Sequence, residues 1–138
     1  MNTATDIAEA AAVLDQVAPG WFTAIDIDRL DIDDGQRCIA GQLSGSVHRD
    51  AIMAAAIDRA QFATDVEILQ GWDRHYRKYS HLDYYGIEKA VVVLLGRPTG
   101  AFQSNFGTEQ RLWMNEIQDR QLKAMKAVDR RADFMLVA

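Results

Sequence analysis

The stretch TEQRLWMNEIQDRQLKAMKAVDRRA, residues 108–132, decides the fold class. With about 100° between successive residues, its mostly apolar side chains gather in a sector of roughly 120°, the width of a helix face that packs on a core. Thr108 is a good N-cap, and the cations near the far end suit the helix dipole. The sector holds Trp113, Met114, Ile117, Gln121, Ala124, Met125, Val128 and Ala132. The stretch therefore predicts a long amphipathic helix.

Apolar residues also recur at helical spacing upstream of this stretch. We predict one helix over residues 4–18, ended by Pro19 and Gly20, a second over residues 48–64 and a third over residues 66–79. Together with residues 108–132 these segments make most of the chain helical.

Two segments have an ambiguous period. Residues 21–43 alternate partly like a strand and are spaced partly like a helix, so we expect short helices and a loop, with Asp33 or Asp34 as an N-cap. Residues 87–95 predict either a buried helix or, over residues 90–95, a short strand. The predicted fold is mainly α: a compact helical domain with at most a short β element.

Size and charge bound the broad class of protein. The 138 residues suit a single domain, 1–138, that buries one core. The net charge of −5 is uneven, because residues 1–34 hold eight acids and one base, whereas residues 35–138 hold twelve acids and fourteen bases. The clearly basic balance of most nucleic-acid binders is therefore missing, and only the part beyond residue 34 could support such binding.

The sequence also argues for a location and against several chemistries. The N-terminus lacks the charged and apolar regions of a signal peptide, and no apolar run approaches the roughly 20 residues of a membrane span. We therefore expect a cytoplasmic protein that does not associate with membranes. P-loop, dinucleotide-binding and HExxH motifs do not occur, so we expect no cofactor and no metal.

A run of aspartates near the N-terminal end invites a calcium interpretation. If Asp31 and Asp33 took the first and third positions of an EF-hand loop, Gly35 would fall at the fifth position and Gln42 would replace the bidentate glutamate. The spacing thus favours turn and capping roles, in which aspartates accept hydrogen bonds from nearby backbone N–H groups. The run consists of Asp26, Asp28, Asp31, Asp33 and Asp34.

Cys38 is the only cysteine and a candidate nucleophile. It excludes an internal disulfide and any zinc site with several thiolates. Catalysis would need activation by His48, His75 or His81, but no catalytic signature surrounds Cys38. A cysteine among apolar neighbours is more typical of a small buried side chain. We therefore assign no catalytic residue.

The most suggestive patch lies within residues 72–85, where basic and aromatic residues alternate. On one continuous helix, Arg74, Arg77, Lys78 and His81 would share one face, and Trp72, Tyr76 and Tyr79 another. Aromatic rings anchor protein interfaces or stack on nucleic-acid bases, and cations meet phosphates or acidic partners. A helix with cations lying over buried rings is the structural alternative. The candidate binding residues are Trp72, Arg74, Tyr76, Arg77, Lys78, Tyr79 and Tyr84.

Two motifs in the chain resemble motifs of known proteins. Trp21, Ile25-Asp26, Leu30-Asp31 and the Cys-x-x-Gly-Gln-Leu of residues 38–43 form the first, and Trp113, Ile117 and Arg120 form a looser second. With both, the chain resembles small uncharacterised proteins of actinobacteria and their phages. Ala40 replaces the usual larger aliphatic residue, and residues 65–106 have no counterpart. The resemblance implies a phage context and no activity.

These observations favour a non-enzymatic accessory protein, derived from a phage or prophage, that binds a host or phage macromolecule. A protein partner is expected, and the oligomeric state stays open. The alternatives are a nucleic-acid-binding regulator that uses Arg74, Arg77, Lys78 and the last helix, and a small enzyme built on Cys38 and a histidine.

Overall fold

The computed structural model describes residues 3–102 and 108–137, except for the side chains of Ser80 and of residues 129–137. All regular structure in this part of the chain is helical, which confirms the predicted mainly α fold. The α-helices are α1 (Thr3–Val17), α2 (Ile39–Ser44), α3 (His48–Arg59), α4 (Ala63–Lys78), α5 (Asp83–Leu95) and α6 (Thr108–Val137), and short 3-10 helices cover Trp21–Ala24, Ile27–Arg29 and Ser80–Leu82.

Helix α5 lies at the centre of the fold, in contact with α1, α2, α3 and α4. Ile87, Ala90 and Val91 are fully buried on it. The strand alternative for residues 90–95 is therefore wrong. β-branched residues favour strands when a sheet is available, but here they fill a helix buried among other helices. Gly96 ends the helix with φ 73°, a left-handed conformation that glycine adopts without strain.

The helix predicted over residues 48–64 is too long. Helix α3 ends at Arg59, and Ala60 and Phe62 take extended backbone conformations with ψ of 128° and 134°. Helix α4 then begins at Ala63. The break lets α4 turn back so that it contacts both α3 and α5. The helical periodicity of the sequence continues across this turn, so the sequence does not reveal where α3 ends and α4 begins.

Among the described side chains of helix α6, residues 108–128, the buried ones lie in its first turns. Trp113 and Ile117 are fully buried, and the Trp113 Nε1 donates a hydrogen bond to the Ala101 carbonyl at 2.7 Å. From Leu122 to Val128, in contrast, every side chain is exposed. The expectation of a core-facing stripe along the whole helix is therefore wrong for Ala124, Met125 and Val128. The side chain of Ala132, also in that stripe, lies outside the described residues.

The helix continues past its packing partners, which explains the exposed stripe. Helix α6 packs on α1 and on the 3-10 helix Trp21–Ala24. Arg120 marks the end of this contact: its guanidinium pairs with Asp15 at 2.8 Å and lies 5.7 Å from the centre of the Trp21 ring. Beyond Arg120 the periodic sequence continues the helix, but its side chains from Leu122 to Val128 are not covered by any described part of the fold.

The Cys-x-x-Gly-Gln-Leu motif joins the long N-terminal loop to α2. Cys38 is the N-cap of α2, and its Sγ accepts a hydrogen bond from the Gly41 N–H. The Gln42 side-chain oxygen accepts from the Asp26 N–H at 2.6 Å, while its amide nitrogen donates to the carbonyls of Asp26 and Arg37. Leu43 is fully buried. The cap is thus Cys38, and the assignment of Asp33 or Asp34 as N-cap is wrong.

The aspartate run serves backbone turns, as predicted. Asp26 caps the 3-10 helix Ile27–Arg29 by accepting from the Asp28 N–H. Asp31 accepts from the Asp33 N–H, and Asp34 accepts from the N–H groups two and three residues further on. These bonds satisfy donors that the short helices leave unpaired.

Candidate functional site

Six aromatic or imidazole rings gather where the end of α4 meets the start of α5. We call them the aromatic cluster. Helix α4 supplies the first three, the residue after α4 supplies the fourth, and the first turn of α5 supplies the last two. The members are Trp72, His75, Tyr76, Tyr79, Tyr84 and Tyr85.

The rings of the cluster touch one another in a continuous chain. Centroids are 5.6 Å apart between Trp72 and Tyr76, 6.3 Å between Tyr76 and Tyr85, and 4.2 Å between Tyr85 and Tyr84. The first two spacings fall in the roughly 4.5–7 Å range of favourable aromatic pairs, and the Tyr84–Tyr85 spacing is slightly shorter. Yet the rings are not core: Tyr85 is 44% exposed, and Trp72, Tyr76 and Tyr84 are half-buried. The cluster is therefore a preformed apolar surface.

The structure changes the predicted faces of this region. Helix α4 ends at Lys78, so Tyr79 and His81 do not continue the helical wheel. The Tyr79 ring contacts His75 at 5.0 Å and His81 at 6.4 Å, instead of joining Trp72 and Tyr76 directly. The grouping of His81 with the cations, and of Tyr79 with Trp72, was therefore wrong. Tyr79 extends the surface on the side of His75 and is 49% exposed.

The three cations of the predicted site differ in whether they form ion pairs. Arg77 forms ion pairs with Asp50 at 3.0 Å and Asp73 at 3.1 Å. Arg74 and Lys78 are exposed and have no ion pair with a described residue. Two free cations beside an apolar surface resemble the rim of a protein interface more than a track for a phosphate backbone.

A buried ion-pair network holds α4 and α5 in place beneath the cluster. Arg49, on α3, binds Asp83 of α5 through two hydrogen bonds of 2.8 Å, and it also bonds Asp73 of α4. The side chains of Arg49 and Asp83 are almost fully buried. Burial opposes ionisation of Asp73, but hydrogen bonds from Arg49 and Arg77 hold its pKa below its ordinary value. The network therefore fixes the geometry of the aromatic surface.

Tyr84 connects the cluster to the N-terminal loop. Its ring lies against the backbone of Gly35, where an added Cβ would come within 2.9 Å of the Tyr84 Cζ atom. A hydrogen bond with Tyr85, burial and the nearby Glu88 raise the pKa of the Tyr84 hydroxyl to about 12. Tyr84 therefore stays neutral at physiological pH and serves as an apolar ring with one polar tip.

A pocket of about 280 Å³ opens beside the cluster. Trp72, Tyr85 and Phe102 supply three aromatic walls, and Glu88 supplies a carboxylate. Glu88 makes no hydrogen bond or ion pair with any residue in the described part of the chain. Burial raises the pKa of this carboxyl to about 7. Lys89, Val92 and Thr99 complete the lining.

Because the Glu88 carboxylate is unpaired, we expect its replacement by glutamine to stabilise the protein at alkaline pH. The Glu88 carboxyl binds its proton more tightly in the folded state than in the unfolded state. The stabilisation of the fold by this proton is therefore complete below about pH 4.5 and is lost as the pH rises through about 7. We expect Glu88→Gln to raise the free energy of unfolding by about 1 to 2 kcal/mol at pH 8.5, after allowance for solvent screening. At pH 4.5 the gain should vanish.

Urea denaturation of both proteins at the two pH values measures this difference. Glu67→Gln, which removes an exposed carboxylate of α4, is the matched control and should show no such pH-dependent gain. Equal effects of Glu88→Gln at both pH values would contradict the assignment of Glu88 as an uncompensated charge.

Cys38 has no described catalytic partner. Its Sγ contacts the Gly35 carbonyl and the Gly41 N–H, and none of the described hydrogen bonds joins it to a histidine. Burial raises the pKa of the thiol, which disfavours the nucleophilic thiolate. Its buried position confirms the structural interpretation of the sequence.

The described residues form neither a metal-binding group nor a membrane-spanning helix. Among their side chains, no three His, Cys, Asp or Glu residues are grouped so that they could hold a metal ion. None of the helices within residues 3–102 and 108–137 has the length and apolarity needed to cross a bilayer.

Comparisons with known proteins yield no relative. The chain matches no protein-family model, no curated protein and no solved structure. Its function is therefore argued from its own geometry.

Sequence reasoning missed Glu88 and Phe102, and it placed Tyr85 in the suggestive stretch 72–85 without naming it as a binding residue. With α5 treated as helical from Asp83, positions 85, 88 and 92 fall at i, i+3 and i+7 and share one face. The choice between helix and strand for residues 87–95 hid this face. Phe102 had no local signal, because it reaches the pocket through its stacking on Trp113 at 5.7 Å.

Proposed function

We propose that this chain is a non-enzymatic accessory protein that binds a partner protein through the aromatic cluster. The single observation that carries the proposal is the continuous chain of touching, partly exposed rings from Trp72 through Tyr76 and Tyr85 to Tyr84. The resemblance of residues 12–45 to phage and actinobacterial proteins supports a phage or prophage origin and, with it, action in the host cytoplasm.

Physical chemistry favours a protein as the partner. Contiguous apolar surface on a monomer is costly to leave in water and marks interaction sites. Tyrosine and tryptophan dominate the binding energy of protein interfaces because they bury large areas and keep a polar tip. Here the Arg49 network fixes the helices that carry the rings, so little conformational entropy would be lost on binding.

A nucleic-acid partner receives less support. Arg77, one of the cations proposed for it, is already neutralised by Asp50 and Asp73. On α6, Arg120 pairs with Asp15 and Glu116, and Lys123 pairs with Asp119. The described cations of α4 and α6 that have no ion pair would give few phosphate contacts and hence a weak affinity with a shallow salt dependence. They are Arg74, Lys78, Arg111 and Lys126.

The proposal predicts that two exposed tyrosines control partner recovery. The double variant Tyr79→Ala/Tyr85→Ala removes rings whose loss costs little stability, since both are about half exposed. We expect immobilised wild-type protein to retain one specific protein from a nuclease-treated actinobacterial host lysate, and the double variant to retain it at least about ten-fold less, as for interface anchors. Quantitative mass spectrometry measures the recovery.

Phe62→Ala is the matched control, because Phe62 is an aromatic residue of 65% exposure outside the cluster. It should retain the partner like the wild type. Equal loss in both variants would contradict the proposal, as would a signal that disappears when nuclease is added, which would favour the nucleic-acid alternative.

A further inference from the structure

The pocket beside the aromatic cluster combines an aromatic lining with an unpaired carboxylate. Trp72 of α4, Tyr85 of α5 and Phe102 of the following loop contribute aromatic side chains to its lining. Glu88 contributes a carboxylate that has no partner among the described residues. An anion partly withdrawn from water and left unpaired is unfavourable unless a ligand compensates it.

Organic cations match this combination. An ammonium or guanidinium group is attracted to the faces of Trp, Tyr and Phe rings, and the attraction grows when the cation is desolvated. The same group can donate charge-assisted hydrogen bonds to a carboxylate. A phosphate or a carboxylate ligand would instead meet the repulsion of Glu88.

No described cation of the chain itself already occupies this role. Lys89 also lines the pocket, but its Nζ pairs with Asp65 of α4 at 3.0 Å. The other titratable groups close to Glu88 are the hydroxyls of Tyr84 and Tyr85 on α5 and the Cys38 thiol before α2. A phenol or a thiol has no cationic form, so none of these three groups can compensate the charge of Glu88.

The size of the pocket restricts the ligand further. About 280 Å³ lies just below the roughly 300 to 1,000 Å³ of typical small-molecule pockets. One side chain fits better than a larger metabolite. The pocket also shares Trp72 and Tyr85 with the aromatic cluster, so a side chain bound there would belong to whatever covers the cluster.

We propose that this pocket receives an arginine or lysine side chain of the partner protein, with Glu88 as its counter-ion and Trp72, Tyr85 and Phe102 as its aromatic walls. This inference rests on the proposed function, because the partner protein supplies the side chain. The site chemistry, recognition of an organic cation, can be tested without the partner.

Tryptophan fluorescence offers a direct readout. Trp21 and Trp113 are fully buried, whereas Trp72 is half-buried and lines the pocket. Quenching by acrylamide therefore reports mainly on Trp72. The probe is an acetylated, amidated Gly-Arg-Gly peptide, and the matched control peptide carries citrulline, which has the shape of arginine without its charge.

We expect the arginine peptide to protect Trp72 from quenching in a saturable manner, with a dissociation constant in the millimolar range, and the citrulline peptide to have no effect at the same concentrations. Glu88→Gln should weaken binding of the arginine peptide at least ten-fold, and Glu67→Gln should leave it unchanged. Binding should strengthen between pH 6 and 8, because Glu88 must lose its proton to pair with the cation.

Equal protection by both peptides, no protection by either, or equal losses in the two glutamine variants would overturn the inference. Agmatine serves as a free small cation for comparison. If it bound more than ten-fold tighter than the arginine peptide, the pocket would be a site for a free small cation, and the proposal that it receives a side chain would be overturned. If the arginine peptide fails while partner recovery still depends on Tyr79 and Tyr85, only this inference is lost. If it binds while partner recovery fails, the proposed function is lost and the cation site stands.

Discussion

Replacement of Arg49 by Met is expected to lower the free energy of unfolding by about 3 to 5 kcal/mol, the cost of leaving a buried charge without its partner. Both carboxylate oxygens of Asp83 bond Arg49 at 2.8 Å, and Asp83 is itself almost fully buried. Methionine fills much of the volume of arginine but donates no hydrogen bond. Urea denaturation at pH 7 measures the loss.

Arg77→Met is the matched control for this experiment. Arg77 pairs with Asp73 and Asp50, two carboxylates that also bond Arg49, but it is largely exposed. Its loss should cost less than about 1 kcal/mol. The double variant Arg49→Met/Asp83→Leu should recover part of the loss, since it removes the orphaned charge as well. Equal costs for Arg49→Met and Arg77→Met would contradict the importance of burial.

Gly41→Ala is expected to destabilise the protein by about 3 kcal/mol or more, since an added methyl group meets rigid backbone. A Cβ at Gly41 would overlap the Gly35 carbonyl oxygen and lie 2.7 Å from the Gln36 carbonyl carbon. The Cys38 cap and the Gln42 hydrogen bonds hold the same loop, so it cannot move away without losing them.

Gly45→Ala provides the comparison, because nothing lies within 4 Å of a Cβ added there. Its free energy of unfolding should stay within about 0.5 kcal/mol of the wild type. Thermal denaturation followed by circular dichroism ranks the two variants. If they melted together, the close approach of α2 to the loop would be contradicted.

The sequence predicts the helices of this fold better than their ends. Apolar spacing located α1, α4 and α6 because each presents one stripe to its neighbours. The end of α3 at Arg59 was missed, since the alanines that follow continue the helical period through an extended turn. The ambiguity of residues 87–95 arose because a helix buried on several sides has no polar face to reveal its period.

The candidate site was predictable in part. Trp72 and Tyr76 are one helical turn apart, so their contact follows from α4 alone. The contact of Tyr76 with Tyr85 depends on how α5 crosses α4, and the Arg49 network that fixes this crossing joins residues 34 positions apart. Tertiary contacts of that kind leave no local signal in one sequence.

The Cys-x-x-Gly-Gln-Leu motif of residues 38–43 has a structural explanation. Cys38 caps α2, Gly41 permits a close backbone contact, Gln42 bridges the loop and Leu43 fills the core. Each of these four roles is structural, and none of them involves a chemical step. The aromatic cluster lies outside this motif, between Trp72 and Tyr85.

Site-specific photo-crosslinking tests the central claim, that the aromatic cluster is the surface that binds a partner protein. A benzophenone amino acid is introduced at Tyr79 in the cluster or at Met125, which is 64% exposed on the free part of α6. After irradiation in host cells, we predict one protein crosslinked from position 79 and none from position 125. Crosslinks from position 125 alone, or from neither position, would contradict the account.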